Sequence, residues 1–407
     1  MDKDIVFIVS DFPLVSQTFV VSNVVEAIKK GYDIQVLTSR LYDVTESSQS
    51  EIISKYAVMD KTSCFTEPVK KSERYKMAFT SLFDFTILYY FIKYIFVKEK
   101  KISLSDIFLL KYYKPYRKAK VFHIHFADAA SFIVNLKKIG FLSSKVMVTF
   151  HGYDAYFKDD VEKVKLRKKY EMLFKVVDKV TINTPYLKEI VTTLGCPSHL
   201  LQTIPVGIDT NYYQPITYPK EIVKNAKISL LSIGRLIELK GHSYGILAVK
   251  ELVNKGYNIE YTIIGEGVLH KELKQLIKEH KLEGYVVLYG KGTQEEVKAS
   301  LEKTTIFLMT SIANSNGRQE AQGVVTIEAQ AMGIPVVGFD SGGVSYTVTE
   351  KTSILVPQKE VIQLAKEIEG VIIHKSNYKL MSLEARKWAV HQFDISRMVN
   401  AYYDDIL

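Results

Sequence analysis

Cysteine is nearly absent from this 407-residue chain, with Cys64 and Cys196 the only two. Two thiols exclude a disulfide framework and a cysteine-rich metal site, and they fit a reducing compartment. A basic leader ahead of a long apolar stretch is missing as well. The opening MDKDIVFIVSDFP has charges on both sides of one short apolar run, so a mature cytoplasmic start is expected. Metal ligands do not gather. Asp2-Lys3-Asp4 mimics an acidic metal motif but sits at a terminus, Asp159-Asp160 and Asp404-Asp405 fall at helical surface positions, and His123 and His125 share a strand face without an evident third ligand. No metal is expected. Nucleic acid is not expected either, because no recognised binding motif accompanies the basic charge.

What is present is globular: 47% hydrophobic and 24% charged residues, in a length that suits two domains. The net charge is +9, and residues 1–200 carry the whole excess. Residues 51–150 alone hold 18 basic side chains against 8 acidic ones. A one-sided basic face suits an anionic partner, such as anionic lipid or a phosphate-bearing substrate.

Short β-branched runs alternate with helical spacing from the start. Asp4–Ser10 reads as a buried parallel strand, Gln17–Lys30 as a helix ending at Gly31, and Tyr32–Thr38 as the next strand. Further strands are predicted at Val121–His125, Val146–Phe150 and Lys179–Ile182. After Pro205 the rhythm restarts, with strands at Lys227–Ile233, Ile259–Ile264, Val286–Tyr289, Ile306–Met309 and Ile334–Phe339. Helices are predicted at Tyr244–Asn254, Lys271–Glu279 and Val324–Met332, and one or two more in the tail Leu383–Leu407. The expected architecture is α/β, built of two doubly wound parallel-sheet halves joined near Pro205–Pro215.

One segment departs from that rhythm. Met77–Val97 (MAFTSLFDFTILYYFIKYIFV) is apolar, aromatic and near the length of a bilayer span. Asp84 and Lys93 inside it argue against spanning. Lysines crowd both flanks, and Leu109–Lys120 adds five more positive charges among tyrosines. The segment reads as a helix lying at a membrane interface, or as a core helix covering the sheet of the first half.

The chemistry concentrates in the second half. The loop SIGRLIELKG (Ser232–Gly241) follows a strand, where open α/β sheets bind ligands, and it offers Arg235 and Lys240 to a diphosphate. Gly265, in IIGEG, follows the next strand and allows close backbone approach. In GRQEAQGVVTIEAQAMGIPVV (Gly317–Val337), Gly323 opens a helix whose free N–H groups suit an anion. Glu320 lies on the approach to that helix and Glu328 about one turn inside it. These two carboxylates would accept hydrogen bonds from the two ends of a nucleotide sugar.

The Glu320-x7-Glu328 spacing, the EAQAMGIPVV that follows, the GRLxxxKG loop and IPVGIDTNYY (Ile204–Tyr213) resemble the retaining glycosyltransferases of family 4, with the GT-B fold. Ser10–Val20, HIHF (His123–Phe126) and TFHGYD (Thr149–Asp154) are similar to a subgroup that builds bacterial surface polysaccharides of the exopolysaccharide, O-antigen and colanic-acid type. The resemblance implies two Rossmann-like domains facing across a cleft. Residues 1–205 would form a basic acceptor-binding domain with the possible membrane-facing helix 77–97. Residues 206–385 would bind the nucleotide sugar, and 386–407 would form a helix packing back on the first domain.

The resemblance also implies site residues. Glu320, His151, Arg235 and Lys240 would be catalytic, with Glu320 on the donor sugar's hydroxyls, His151 facing that sugar, and Arg235 and Lys240 on the leaving diphosphate. Glu328 would hold the ribose. Gly265, Lys291, Ser16 and the backbone of Gln322, Gly323 and Val324 would complete donor binding. Phe12, Gln17, His125, Tyr153 and Asp154 would meet the acceptor. Ala321 stands where the family usually has glycine.

The implied activity is metal-independent, front-face transfer of a hexose from a UDP- or GDP-linked donor, without other cofactors. The implied acceptor is a glycan, carried on a polyprenyl diphosphate, in bacterial surface polysaccharide biosynthesis. Peripheral association with the inner face of the cell membrane is expected. The alternatives are an inverting GT-B transferase using Asp154 or His151 as base, a sugar-nucleotide 2-epimerase of the same architecture, and a non-catalytic sugar-binding protein. Monomer and weak dimer are both left open.

Overall fold

A computed structural model describes residues 3–14, 17–97, 101–222 and 227–407. Its strands are β1 (Ile5–Phe12), β2 (Ile34–Leu41), β3 (Thr62–Cys64), β4 (Val121–His125), β5 (Lys145–Phe150), β6 (Lys179–Ile182), β7 (Leu201–Thr203), β8 (Ile228–Ile233), β9 (Ile259–Ile264), β10 (Val286–Gly290), β11 (Ile306–Met309), β12 (Val336–Phe339) and β13 (Ser353–Val356). They form two sheets, ordered β3-β2-β1-β4-β5-β6-β7 and β10-β9-β8-β11-β12-β13. Every pairing within them is parallel.

The helices are α1 (Thr18–Lys29), α2 (Ser50–Lys55), α3 (Lys71–Leu82), α4 (Phe85–Val97), α5 (Leu104–Tyr113), α6 (Ser131–Lys138), α7 (Asp160–Val176), α8 (Pro185–Thr193), α9 (His242–Asn254), α10 (His270–Glu279), α11 (Gln294–Lys303), α12 (Val324–Ala331), α13 (Val361–Ile373), α14 (Lys375–Phe393) and α15 (Ile395–Tyr403). The chain divides into two compact units. One comprises Met1–Ile182, Lys188–Ile204 and Val399–Leu407, the other Asn183–Leu187 and Pro205–Met398.

Continuous apolar runs make parallel strands here because helices cover both sheet faces. In β1, five successive residues from Ile5 to Val9 are buried, and each large side chain contributes roughly 1.5–3 kcal/mol by leaving water. Three short strands were not foreseen: β3, β7 and β13. β3 (TSC) and β7 (LQT) are sheet-edge strands of three residues and carry no apolar run to read.

Each sheet has one switch point, where strand order reverses: β1/β4 in the first unit and β8/β11 in the second. The carboxyl ends of these strands are where such folds place ligands. The GRLxxxKG loop leaves β8, and the glutamate-bearing loop leaves β11.

The apolar segment 77–97 is not one helix. It divides between α3 and α4, which meet at 104°. Asp84 causes the break, since its side chain accepts from Thr86 N (3.0 Å) and Ile87 N (3.3 Å), capping α4, and it pairs with Lys114. Nor is the tail a single element. Asp394 is extended between α14 and α15, and its carboxylate holds Thr210 and the amide of Ser396. The last nine residues join the first unit, where buried Lys179 donates to Ala401 O (2.9 Å), Tyr402 O (3.2 Å) and Asp405 (2.7 Å). A cation thereby satisfies the terminal carbonyls of α15.

Candidate active site

In the second unit, Lys240 and Glu320 come from loops after β8 and β11. Lys240 Nζ lies 2.5 Å from Glu320 Oε2, with side-chain exposures of 17% and 15%. Ser311 Oγ stands 3.4 Å from the same oxygen. Burial alone would push the Glu320 carboxyl up. The Lys240 charge and hydrogen bond, with Arg318 and Ser311 behind them, outweigh burial and hold it below its ordinary value. Arg235, in the same loop as Lys240, is exposed and has no ion pair among the described residues.

Glu320 leads directly into α12. Its N-cap is Gly323, in the left-handed region (φ +81°), and no side chain caps the first amides. A Cβ at Gly323 would also stand 2.9 Å from Met309 Cε. A helix start free of side chains, with the Lys240–Glu320 pair on its approach, has the chemistry to hold an anion.

The loop is braced from behind. Gln322 is buried, and its amide exchanges two hydrogen bonds with the Val206 backbone (2.9 and 3.0 Å). Thr184 Oγ1 donates to Ala321 O (2.8 Å) and Gly343 N to Glu320 O (2.7 Å). Gly343 passes so close that a Cβ there would lie 1.9 Å from Ala321 O.

One turn along α12, Glu328 is half-buried. Burial pushes its carboxyl up to about 7, partly offset by a hydrogen bond from the Tyr213 hydroxyl. A basic partner, the ordinary explanation for a helix carboxylate of this kind, is not found among the described residues. Tyr213 belongs to the IPVGIDTNYY segment.

In the first unit, three imidazoles form a column. The His123 and His125 ring centroids are 4.2 Å apart, those of His125 and His151 5.2 Å, and both pairs are stacked. His123 and His125 are buried, whereas His151 is partly exposed. His125 Nδ1 lies 3.0 Å from His151 Nε2. Phe19 and Phe126 flank His151, with centroids at 4.4 and 4.7 Å. Phe126 has φ +68°, strain that a bulky residue accepts only where its surroundings enforce it.

Two family models match the chain: "Glycosyltransferase Family 4" over residues 17–212 and "Glycosyl transferases group 1" over 216–388. The chain belongs to glycosyltransferase family 4. The amylovoran biosynthesis glycosyltransferase AmsK of Erwinia amylovora is 28% identical over 367 residues, covering 88% of each chain. The GDP-mannose-dependent alpha-(1-6)-phosphatidylinositol monomannoside mannosyltransferase of Mycobacterium tuberculosis is 24% identical over 259 residues, covering 62% of this chain and 66% of that one. The crystal structure of Anabaena Alr3699/HepE in complex with UDP is similar with a TM-score of 0.75 at 17% identity, covering 100% of this chain and 99% of that one. The last likeness carries the fold, GT-B with two Rossmann-like units.

In this family 4 glycosyltransferase the expected second-unit residues fall at strand ends as the motifs imply. Arg235 and Lys240 follow β8, Lys291 is exposed just after β10, and Glu320, Gln322, Gly323, Val324 and Glu328 lie before and within α12. Gly265 also has a packing reason: a Cβ there would stand 2.0 Å from Gly234 O, so the protein's own backbone approaches it. Among the described residues no group of three or more His, Cys, Asp or Glu is placed to hold a metal ion.

The expected acceptor residues fare unevenly. Phe12 is fully buried in the core, where nothing outside can touch it. His125 is also buried, with Asn23 and His151 at its two nitrogens. Asp154 is buried and accepts from the amides of Ala127 (2.8 Å), His151 (3.0 Å) and Gly152 (3.0 Å), so it builds the loop that carries His151. Burial pushes its carboxyl up to about 6, against hydrogen bonds from the amides of Ala127, His151 and Asp154 itself. Tyr153 is exposed and Gln17 partly exposed. Ser16 lies outside the described residues.

Sequence reasoning missed Thr184, Ser311, Tyr213 as the partner of Glu328, and the Gly342-Gly343 pair. The SGG run at 341–343 was the one available signal, a glycine pair just after a strand.

Proposed function

We propose that this enzyme transfers a hexose from a nucleotide diphosphate sugar to a glycan acceptor in surface polysaccharide biosynthesis, with retention of anomeric configuration. The observation that carries the reading is the Lys240–Glu320 pair standing at the open start of α12, with Arg235 exposed in the same loop. Lys240, Arg235 and the first amides of α12 offset the charge that develops on the diphosphate as its bond to the anomeric carbon breaks. Glu320 orients the sugar through its hydroxyls, and Glu328 takes the ribose diol. The acceptor oxygen forms the new bond on the face the diphosphate leaves, and its proton passes to the departing phosphate oxygen.

Inversion would need a side-chain base. The carboxylate beside His151, that of Asp154, is committed to three amides, which favours the proton route through phosphate. Both UDP and GDP present the diphosphate and ribose that these residues address. UDP is present in the Anabaena structure, and the mycobacterial relative's name specifies GDP-mannose.

The acceptor in this proposal is lipid-linked, and the enzyme sits on the inner face of the cell membrane. No single helix among the described residues is long and apolar enough to cross a bilayer. Helices α3 and α4 and the break between them instead expose Phe79 (66%), Phe83 (68%), Phe85 (87%) and Phe96 (84%). Exposed Lys70, Lys71, Lys76 and Lys93 lie on the same two helices and their approach. Aromatics beside lysines suit an anionic leaflet.

The direct test incubates the enzyme with UDP- and GDP-hexoses and a lipid-linked glycan, and reads the anomeric configuration of the product by NMR. Retention is expected. An inverted product would overturn the mechanism, and binding of neither nucleotide would overturn the donor site.

A further inference from the structure

We infer that Asn23 sets the proton positions of the histidine column, so that His151 presents an N–H and not a lone pair to substrate. This rests on the reading of His151 as a substrate-facing group.

Asn23, on α1, is buried beneath the column. Its Nδ2 lies 3.3 Å from His125 Nε2, and its side chain also hydrogen-bonds the Tyr403 hydroxyl. Its Oδ1 is buried with no partner. The opposite orientation of the amide would leave two N–H donors without a partner, in place of one carbonyl oxygen. Orphaned donors are the rarer and costlier case. The amide nitrogen therefore faces both partners and donates to each.

Directions then propagate. Burial holds all three histidines below their ordinary pKa, His125 at about 3, so each ring carries a single proton at neutral pH. On the first branch, His125 Nε2 accepts from Asn23, so its proton is on Nδ1, which donates to His151 Nε2 (3.0 Å). The His151 proton is left on Nδ1. On the second branch, the Tyr403 hydroxyl accepts from Asn23 and donates to His123 Nδ1 (2.7 Å). His123 Nε2–H then donates to Thr149 Oγ1 (2.7 Å), which lies 2.6 Å from Thr181 Oγ1. No step on either branch requires two donors or two acceptors to meet.

With Nε2 occupied, His151 has no ring lone pair to take a proton from an acceptor. It can only donate, as to a sugar hydroxyl. Asn23 and His125 are thus positioning residues, acting through His151.

The test is a long-range ¹H–¹⁵N correlation spectrum of the full chain labelled at histidine, which separates Nδ1–H from Nε2–H tautomers without any ligand. Nδ1–H is expected for His125 and His151, and Nε2–H for His123. Finding His151 as Nε2–H overturns the inference outright. Asn23→Asp, when ionised, supplies only acceptors and should switch His125 and His151 to Nε2–H. It should also lower kcat/KM about tenfold, the loss of one well-placed hydrogen bond. Tyr403→Phe breaks only the second branch, so the His125 and His151 tautomers should stay; a switch there would count against the branched assignment. If Asn23→Asp fails to fold, the wild-type spectrum still decides. Switched tautomers with wild-type kcat/KM would overturn the substrate contact of His151 while leaving the donor-site reading intact.

Discussion

Lys240 and Glu320, 80 residues apart in sequence, meet at 2.5 Å where the loops after β8 and β11 converge. Both are mostly buried, so each needs the other to remain charged at low cost. An ammonium has three donors, so Lys240 can keep Glu320 while it reaches a phosphate oxygen. In the proposed reading, the pair places a cation for the diphosphate and a carboxylate for the sugar hydroxyls side by side.

Lys240→Met should cost about 2 kcal/mol at pH 7, less than a fully buried pair because some solvent reaches both groups. The sign follows from Glu320. Its folded-state pKa is lowered, so the pair's stabilisation is present above the ordinary carboxylate value and disappears as pH falls through the folded value. Urea unfolding of wild type and variant from pH 7 downward should show a gap that narrows once pH falls below the ordinary carboxylate value. Equal gaps would refute the pairing.

Glu328 behaves in the opposite sense. Burial raises its carboxyl to about 7, above the unfolded value. The unfolded chain releases this proton first, so stability declines as pH climbs from about 4.5 to 7 and is flat beyond. Glu328→Gln should therefore raise stability at pH 8 by about 1–2 kcal/mol, discounted for partial exposure, and change little at pH 4.5. The same variant should lose most of the melting-temperature rise that UDP or GDP produces. A variant that is less stable at pH 8, or that keeps full nucleotide response, would contradict the role given to Glu328.

These two carboxylates also show what was legible beforehand. Glycine before an apolar helix and cations after a strand are local patterns, so the loops of the proposed donor site could be read from residues in a row. The partner of Glu328 could not, because Tyr213 comes from a distant segment and a hydroxyl leaves no charge pattern. His125 and Asp154 were expected to meet the acceptor because HIHF and TFHGYD are similar to segments of the family. Their burial, and the amides around Asp154, are properties of packing. The Asp84 break misled for a related reason: hydropathy counts a lone carboxylate as a cost, whereas here it caps the next helix.

Gly323→Ala tests the helix start. The left-handed backbone alone costs about 1–2 kcal/mol for an alanine, and the added Cβ crowds the flexible end of Met309 while meeting Val344 and Glu320 at ordinary contact distance. Stability should fall by that modest amount. Nucleotide affinity should fall further, at least tenfold, because the methyl group and any backbone adjustment displace the phosphate-facing amides. Isothermal titration with UDP and GDP, alongside unfolding, separates the two effects. An affinity unchanged within twofold for both nucleotides would argue that the diphosphate does not approach this turn.

The α3–α4 corner gives the last expectation. Only Ile87 and Tyr94 of α4 are buried, and Phe85 and Phe96 are among the most exposed apolar side chains of the first unit. Complete burial of a phenyl group is worth roughly 1.5–3 kcal/mol, and each lysine near an anionic surface about 1 kcal/mol. Partial insertion of two rings still amounts to more than tenfold in partition. Phe85→Ser with Phe96→Ser should therefore cut cosedimentation with phosphatidylglycerol vesicles at least tenfold while leaving the melting temperature nearly unchanged, because neither ring packs in the core. Binding by wild type should weaken as salt rises, since screening shortens the reach of the lysines. Sedimentation velocity without lipid supplies the contrast. If the double variant changes the mass of the particle and not its vesicle binding, the corner is a contact between copies of this chain and the membrane assignment fails.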